Sequence, residues 1–269
     1  MTSHPSILLL ATALSSVTPL ARAEAQVSVV SNSMQEQQAS AGSEYQGSIV
    51  LRNDGPESQH VRVYLTDYSF TANGVSAFAE PGSSPRSNAR WITFGSQSVV
   101  VAAYQSSTVT YRVTVPELPG ASGSGSFWSI AMIEGESVTA RPAANQRGVQ
   151  LNTVVRHGIQ LVTHVGTTGA ASVAFSNVTV LTGDSGPTLQ FDSGNNGQRA
   201  RRLSLSVDLY AEDGTLVGRF TKERGLVYPG CSIRQTFSIG ALKKGNYTAF
   251  VVADAGDDDL FAGNFKLKF

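Results

Sequence analysis

The sequence predicts an all-β protein. Three observations carry that expectation: short runs of alternating or β-branched residues, turn-forming clusters between them, and no convincing amphipathic helix after residue 23. Successive side chains of an extended chain face opposite sides, so apolar and polar residues that alternate mark a strand with one buried face. The runs are Gln46–Arg52, Val61–Phe70, Val99–Val101, Thr108–Val115, Phe127–Ile133 and Val149–Val165. Asn53-Asp54-Gly55-Pro56, Ala72-Asn73-Gly74 and Pro116–Gly125 separate them as turns, because Gly, Pro, Asn and Asp supply the backbone angles that turns need. Residues Gly166–Ala171 read GTTGAA, a break of small residues. A second series follows at Val173–Leu181, Leu189–Phe191, Leu203–Tyr210, Leu216–Phe220, Ile233–Ile239, Tyr247–Ala253 and Leu260–Phe269. About seven short strands in roughly 100 residues is the spacing of an immunoglobulin-like sandwich. Two such domains are therefore expected, over residues 24–166 and 167–269.

Within the second series, Asp213-Gly214 between Leu209-Tyr210 and Leu216-Val217 has the signature of a hairpin turn. Tyr247, entered through Gly245-Asn246, has two readings: a hydroxyl bonded back across a sandwich corner, or a plain core aromatic. Gly123–Val165 is the most informative stretch. It holds an apolar strand around Phe127 and Trp128, a polar connection from Gly135 to Arg147, and a long strand with apolar Val149, Leu151, Val155, Ile159 and Leu161. Every odd-numbered residue of that strand is placed on one face. Its uses are as the last strand of its own domain or as an edge that templates a partner strand.

The N-terminus carries an apolar segment, Ile7–Leu14, and Ala21-Arg22-Ala23 offers the small residues of a signal-peptidase site. Residues 1–23 are read as a removed signal peptide, which implies export. No later apolar run approaches the roughly 18 residues of a membrane span. Removing the first 23 of 269 residues leaves 246, with 19 of the 20 Lys+Arg and all 20 Asp+Glu. A balance this even gives no footprint for nucleic acid or an anionic membrane. Cys231 is the only cysteine, so packed sheets rather than an internal disulfide must supply stability.

In the order of these elements the chain resembles the periplasmic pilus-assembly chaperones of the PapD type. Phe127-Trp128-Ser129-Ile130 resembles the family's sixth strand, and Val149-Gln150-Leu151 through Arg156-His157-Gly158-Ile159-Gln160-Leu161 its seventh. Ser43–Asn53 resembles the second strand, and Trp91-Ile92 through Tyr111–Pro116 the central run. The resemblance implies a periplasmic chaperone that lends a strand to pilin-like or other secreted subunits and hands them to an outer-membrane usher. Backbone hydrogen bonds would give affinity and alternate side chains would fill the subunit's groove. The matching donor residues are Val149, Leu151, Thr153 and Val155. Pattern alone leaves open the alternative, a terminal strand sealed in its own domain, as in a structural or adhesive surface protein.

One departure is chemical. Typical members anchor the subunit's terminal carboxylate with two cations, an Arg from the first strand and a Lys from the long strand. Gln26–Tyr45 contains neither Arg nor Lys, and Gln160 stands where the Lys is expected. Arg156 and Gln160 are the remaining candidates for a carboxylate contact. A catalytic reading is disfavoured: Thr182-Gly183-Asp184-Ser185-Gly186-Pro187 resembles a protease nucleophile segment, but His60, His157 and His164 lack the context of a matching base. Asp254–Asp259 gathers carboxylates without the spacing of a calcium loop. No catalytic residue, metal or cofactor is therefore assigned.

Overall fold

The structure, a computed structural model, describes residues 27–117, 123–135, 154–183, 186–240, 242–256 and 259–268. Its strands are β1 Val27–Val29, β2 Met34–Ala39, β3 Glu44–Asn53, β4 Gln59–Phe70, β5 Ser76–Ala79, β6 Ile92–Phe94, β7 Ser98–Val101, β8 Ser106–Thr114, β9 Gly125–Gly135 and β10 Arg156–Val165. After Gly166 come β11 Val173–Gly183, β12 Gly186–Asn195, β13 Arg201–Ala211, β14 Leu216–Val227, β15 Ser232–Ser238, β16 Asn246–Asp254 and β17 Leu260–Lys268. β1–β10 form two sheets, β1-β3-β8-β6 and β2-β10-β9-β4-β5 with β7 beside β4. β11–β17 form two more, β11-β12-β15 and β14-β13-β16-β17. The fold is thus all-β, two immunoglobulin-like sandwiches in tandem, as the strand spacing predicts.

The alternation that announced the strands is the alternation that buries them. On β8, Val109, Tyr111 and Val113 are buried while Thr108, Thr110 and Arg112 are exposed. On β16, Tyr247, Ala249, Val251 and Ala253 are buried. The Tyr247 hydroxyl donates to the Lys243 carbonyl at 2.8 Å, so it closes the corner and also lines the core. Asp213-Gly214 turns β13 into β14: Gly214 has φ 82 and Asp213 Oδ1 accepts from Thr215 N at 2.9 Å.

β1, β2, β5 and β6 lie outside the expected runs. β2 reads MQEQQA and β5 has all four residues exposed. Neither carries an apolar period; each is a strand because a neighbour's backbone groups pair with it. The expected strand Val149–Val165 is described from β10 onward, so it starts at Arg156; Val149, Leu151 and Thr153 lie outside the described residues. Ser185 does too, and its neighbours Gly183 and Gly186 face each other across the β11–β12 hairpin. Of the acidic run, Asp254 Oδ1 accepts from Gly256 N and Asp259 pairs with Arg201.

Each sandwich contains the same buried device. Asn53, at the end of β3, is fully buried; its Nδ2 donates to the Glu57, Val101 and Ala102 carbonyls and its Oδ1 accepts from Gly55 N. Asn195, at the end of β12, is equally buried; its Nδ2 donates to the Arg199 and Val227 carbonyls and its Oδ1 accepts from Gly197 N. One amide satisfies a turn on one side and the end of a later strand on the other. Replacing Asn195 with Ala leaves several buried groups unpaired and is expected to cost about 2–4 kcal/mol, each orphaned group contributing roughly 1–3. Denaturant titration checks this; an unchanged midpoint would mean that water takes over the amide's bonds.

Candidate functional site

The sequence places the function on the expected strand Val149–Val165, of which β10 is the part described as a strand, and the surroundings of β10 divide it in two. Along its full length it is antiparallel to β9, from Arg156 opposite Glu134 to Val165 opposite Gly125. Its other edge is covered by β2, in parallel, from Gln160 opposite Met34 to Val165 opposite Ala39. Gln160 N donates to the Ser33 carbonyl at 2.9 Å, where that cover begins. Among the described residues, Arg156–Ile159 pair with β9 alone. Upstream, residues 30–33 lead β2 back to β1, which belongs to the opposite sheet. Among the described residues, then, the strand is covered by β2 over its second half and has no strand beside that edge over its first.

Parity sets what each face does. Ile159, Leu161 and Val165 are buried in the core of the first sandwich, and Val162 packs instead with Trp128 against the second. Of the four expected donor residues, Val155 is described; it is half-buried, just ahead of β10, beside exposed Val154. Arg156 reaches Glu134: its Nε donates to Glu134 Oε2 at 2.5 Å. Gln160 faces the cleft between the sandwiches, where its Oε1 accepts a hydrogen bond from the Tyr228 hydroxyl. Both side chains that the sequence offered to a carboxylate thus have partners within the chain.

The cleft is held by groups from both sandwiches. The Trp128 ring stacks on Tyr228 with centroids 4.5 Å apart and planes within 8°, and its Nε1 donates to the Tyr68 carbonyl at 2.7 Å. Burial pushes the Tyr228 phenol well above its ordinary pKa, so it remains a donor. Gly125 lets the two sandwiches approach closely: at φ 125, a Cβ there would lie 2.2 Å from the Gln198 carbonyl oxygen, and Ser126 N donates to that oxygen at 2.9 Å. Ser126 Oγ accepts from Ala200 N at 2.8 Å. Across the cleft rim, Arg202 pairs with Glu36, which also meets His164 Nε2 at 3.1 Å. A cation does enter this region, then, but from β13 rather than from the first strand, and with a carboxylate beside it. Tyr228, Arg202 and Glu36 carried no signal in the sequence, because each acts on a partner 68 or more residues away.

Burial alone would raise the pKa of Glu36 and of Glu134. Hydrogen bonds outweigh it, from Arg202 and His164 to Glu36 and from Tyr64 and Arg156 to Glu134, and hold both carboxyls low. Arg234 and, less strongly, Asn177 lower that of Asp192. A carboxyl whose folded pKa lies below its unfolded value contributes stability that is complete above the unfolded range of about 4 and is lost as pH falls through the lowered value. Thermal melts are expected to hold level down to about pH 5 and to fall below about pH 4. Loss on the alkaline side instead would assign the titration to other groups.

No protein-family profile matches the chain, and no curated protein matches it. Solved structures of similar shape do exist. In a chaperone–tip adhesin complex of CFA/I fimbriae biogenesis, the matched chain is 9% identical, with a TM-score of 0.49, over 89% of this chain and 98% of that one. For the Acinetobacter baumannii CsuC–CsuE pre-assembly complex of archaic chaperone-usher pili the values are 12%, 0.46, 90% and 98%, and for the YadV chaperone 14%, 0.44, 90% and 100%. At this low identity the likeness to these solved fimbrial chaperones is one of fold.

Proposed function

We propose that this chain is an exported assembly chaperone, not an enzyme, that holds secreted β-sandwich subunits by adding a strand to them along the open edge of β10. The single observation that carries the reading is the half-covered strand: among the described residues, Arg156–Ile159 pair with β9 alone, whereas β2 covers the rest. Unpaired strand edges invite further pairing, and strand addition joins backbone affinity to side-chain selectivity. Val149, Leu151, Thr153 and Val155 would continue this edge into the subunit's groove. Division of the chain at residue 166 assigns β10 to the donor domain and β11–β17 to the other wall of the cleft. In this reading Arg156 and Gln160 brace the donor strand through Glu134 and Tyr228, and the subunit's carboxylate is not anchored by a Lys. The client is a pilin-like subunit in the periplasm, with transfer to an outer-membrane usher.

Photo-crosslinkers placed one at a time at His157, Gly158 and, as a control, exposed Leu216 of β14 test it in cells that express the full chain. Crosslinks to a secreted subunit from the β10 positions and none from Leu216 are expected. Equal yield from all three would overturn strand addition at this edge.

A further inference from the structure

Among the described residues the open edge of β10 is Arg156–Ile159, with Gly158 inside it. Glycine in a strand interior has the most backbone freedom to lose. Here a Cβ at Gly158 would lie 3.1 Å from Ile130 Cγ2, so a side chain fits only if Ile130 gives by a few tenths of an ångström. With a strand neighbour on one side among the described residues, such a residue at its centre, and between its ends only the contact of His157 Nε2 with the Val27 carbonyl at 3.2 Å, the segment should fray readily. Both its ends are nevertheless tied. At Gln160 the ties are the Ser33 carbonyl and the Tyr228 hydroxyl. At Arg156 the tie is a lateral row of charges, because Arg62 on β4, Glu134 on β9 and Arg156 on β10 stand directly opposite one another. Glu134, with its side chain 15% exposed, takes Arg62 Nη2 on Oε1 at 3.2 Å and Arg156 Nε on Oε2 at 2.5 Å. The Tyr64 hydroxyl donates to Oε2 at 3.0 Å, and the Arg62 guanidinium lies 4.8 Å from the centre of the Tyr64 ring.

We infer that Glu134 is a positioning residue for the open edge: by holding Arg156 from the middle strand, it keeps Arg156–Ile159 extended and aligned for a partner strand. This deepens the chaperone reading and rests on it for the identity of what docks. The ordering itself does not depend on a client. A carboxylate on the middle strand suits the task, since one group can hold the flanking strands on both sides through charge-assisted hydrogen bonds.

The test compares wild type, Glu134→Ala and Glu134→Gln in the full chain. The readouts are backbone amide exchange along β10, thermal melting, and uptake of a labelled synthetic peptide of alternating valine and threonine with lysine ends. Glu134→Ala is expected to speed exchange about tenfold at His157 and Ile159, whose amides face β9, leave Leu161–Val165 unchanged, and weaken peptide uptake by a similar factor. Glu134→Gln, which keeps the acceptor but not the charge, should fall between. Unchanged exchange at His157 and Ile159 would overturn the inference. So would equal acceleration along all of β10, which marks a general stabiliser, and so would faster exchange with undiminished uptake. If wild type takes up no peptide, strand addition fails, while the exchange comparison still decides whether Glu134 orders the edge.

Discussion

Aspartate at both Leu151 and Val155 is expected to abolish client capture and leave the protein folded. Strand addition buries alternate side chains in an apolar groove, and two unpaired charges there each carry a desolvation cost of several kcal/mol. From β10 the core of the first sandwich takes Ile159 and Leu161, each 2% exposed, whereas Val155, the one of the two positions that is described, is half-buried and ahead of the strand. The measurement is a pulldown of secreted partners by wild type and the double variant, with a thermal melt of each. A variant that stays folded and captures the same partners would remove this strand as the donor. One that unfolds would mean that residues 149–155 are sealed in their own domain, the structural-protein alternative.

Trp128→Ala is expected to produce the largest loss of stability. The ring is 4% exposed and belongs to the cluster that contains Phe191, Leu209 and Val251 of the second sandwich, although its backbone is in the first. Its removal opens a cavity at a cost of about 3–5 kcal/mol and ends the stack on Tyr228, which adds about 0.5–1.5 kcal/mol beyond buried area. The Tyr68 carbonyl loses its donor as well. Calorimetry should show a lower melting temperature and a single transition splitting in two, as the sandwiches lose the contact that couples them. Trp128→Phe should recover part of the loss. An unchanged melting profile in Trp128→Ala would mean that the Ser126–Ala200 and Arg202–Glu36 contacts couple the sandwiches unaided.

Which strands were legible depended on what makes each one a strand. β3, β4, β8 and β16 bury one face in their own sandwich, so their composition alternates and can be read directly. The turn at Asp213-Gly214 was equally legible, since it depends on adjacent residues, whereas at Tyr247 the sequence left a corner bond and a plain core aromatic both open. β2 and β5 were not, because their formation depends on β10 and β4 offering free backbone groups. The candidate site follows the same division. Phe127 and Trp128 could be recognised as one apolar strand, but not that Phe127 joins the first core and Trp128 the second.

Residue order by itself determined an all-β chain in two series of strands, because period-two burial and turn chemistry are local and survive in a single sequence. It also determined the lack of an internal disulfide and the missing cation in Gln26–Tyr45. Tertiary structure alone decided that β2 stops covering β10 at Gln160, that Gln160 meets Tyr228, and that Arg202 near the cleft pairs with Glu36. These are meetings of side chains 68 to 166 residues apart. They depend on how one sandwich is set against the other, a geometry determined by close packing around Trp128 and Gly125 rather than by any period in the chain.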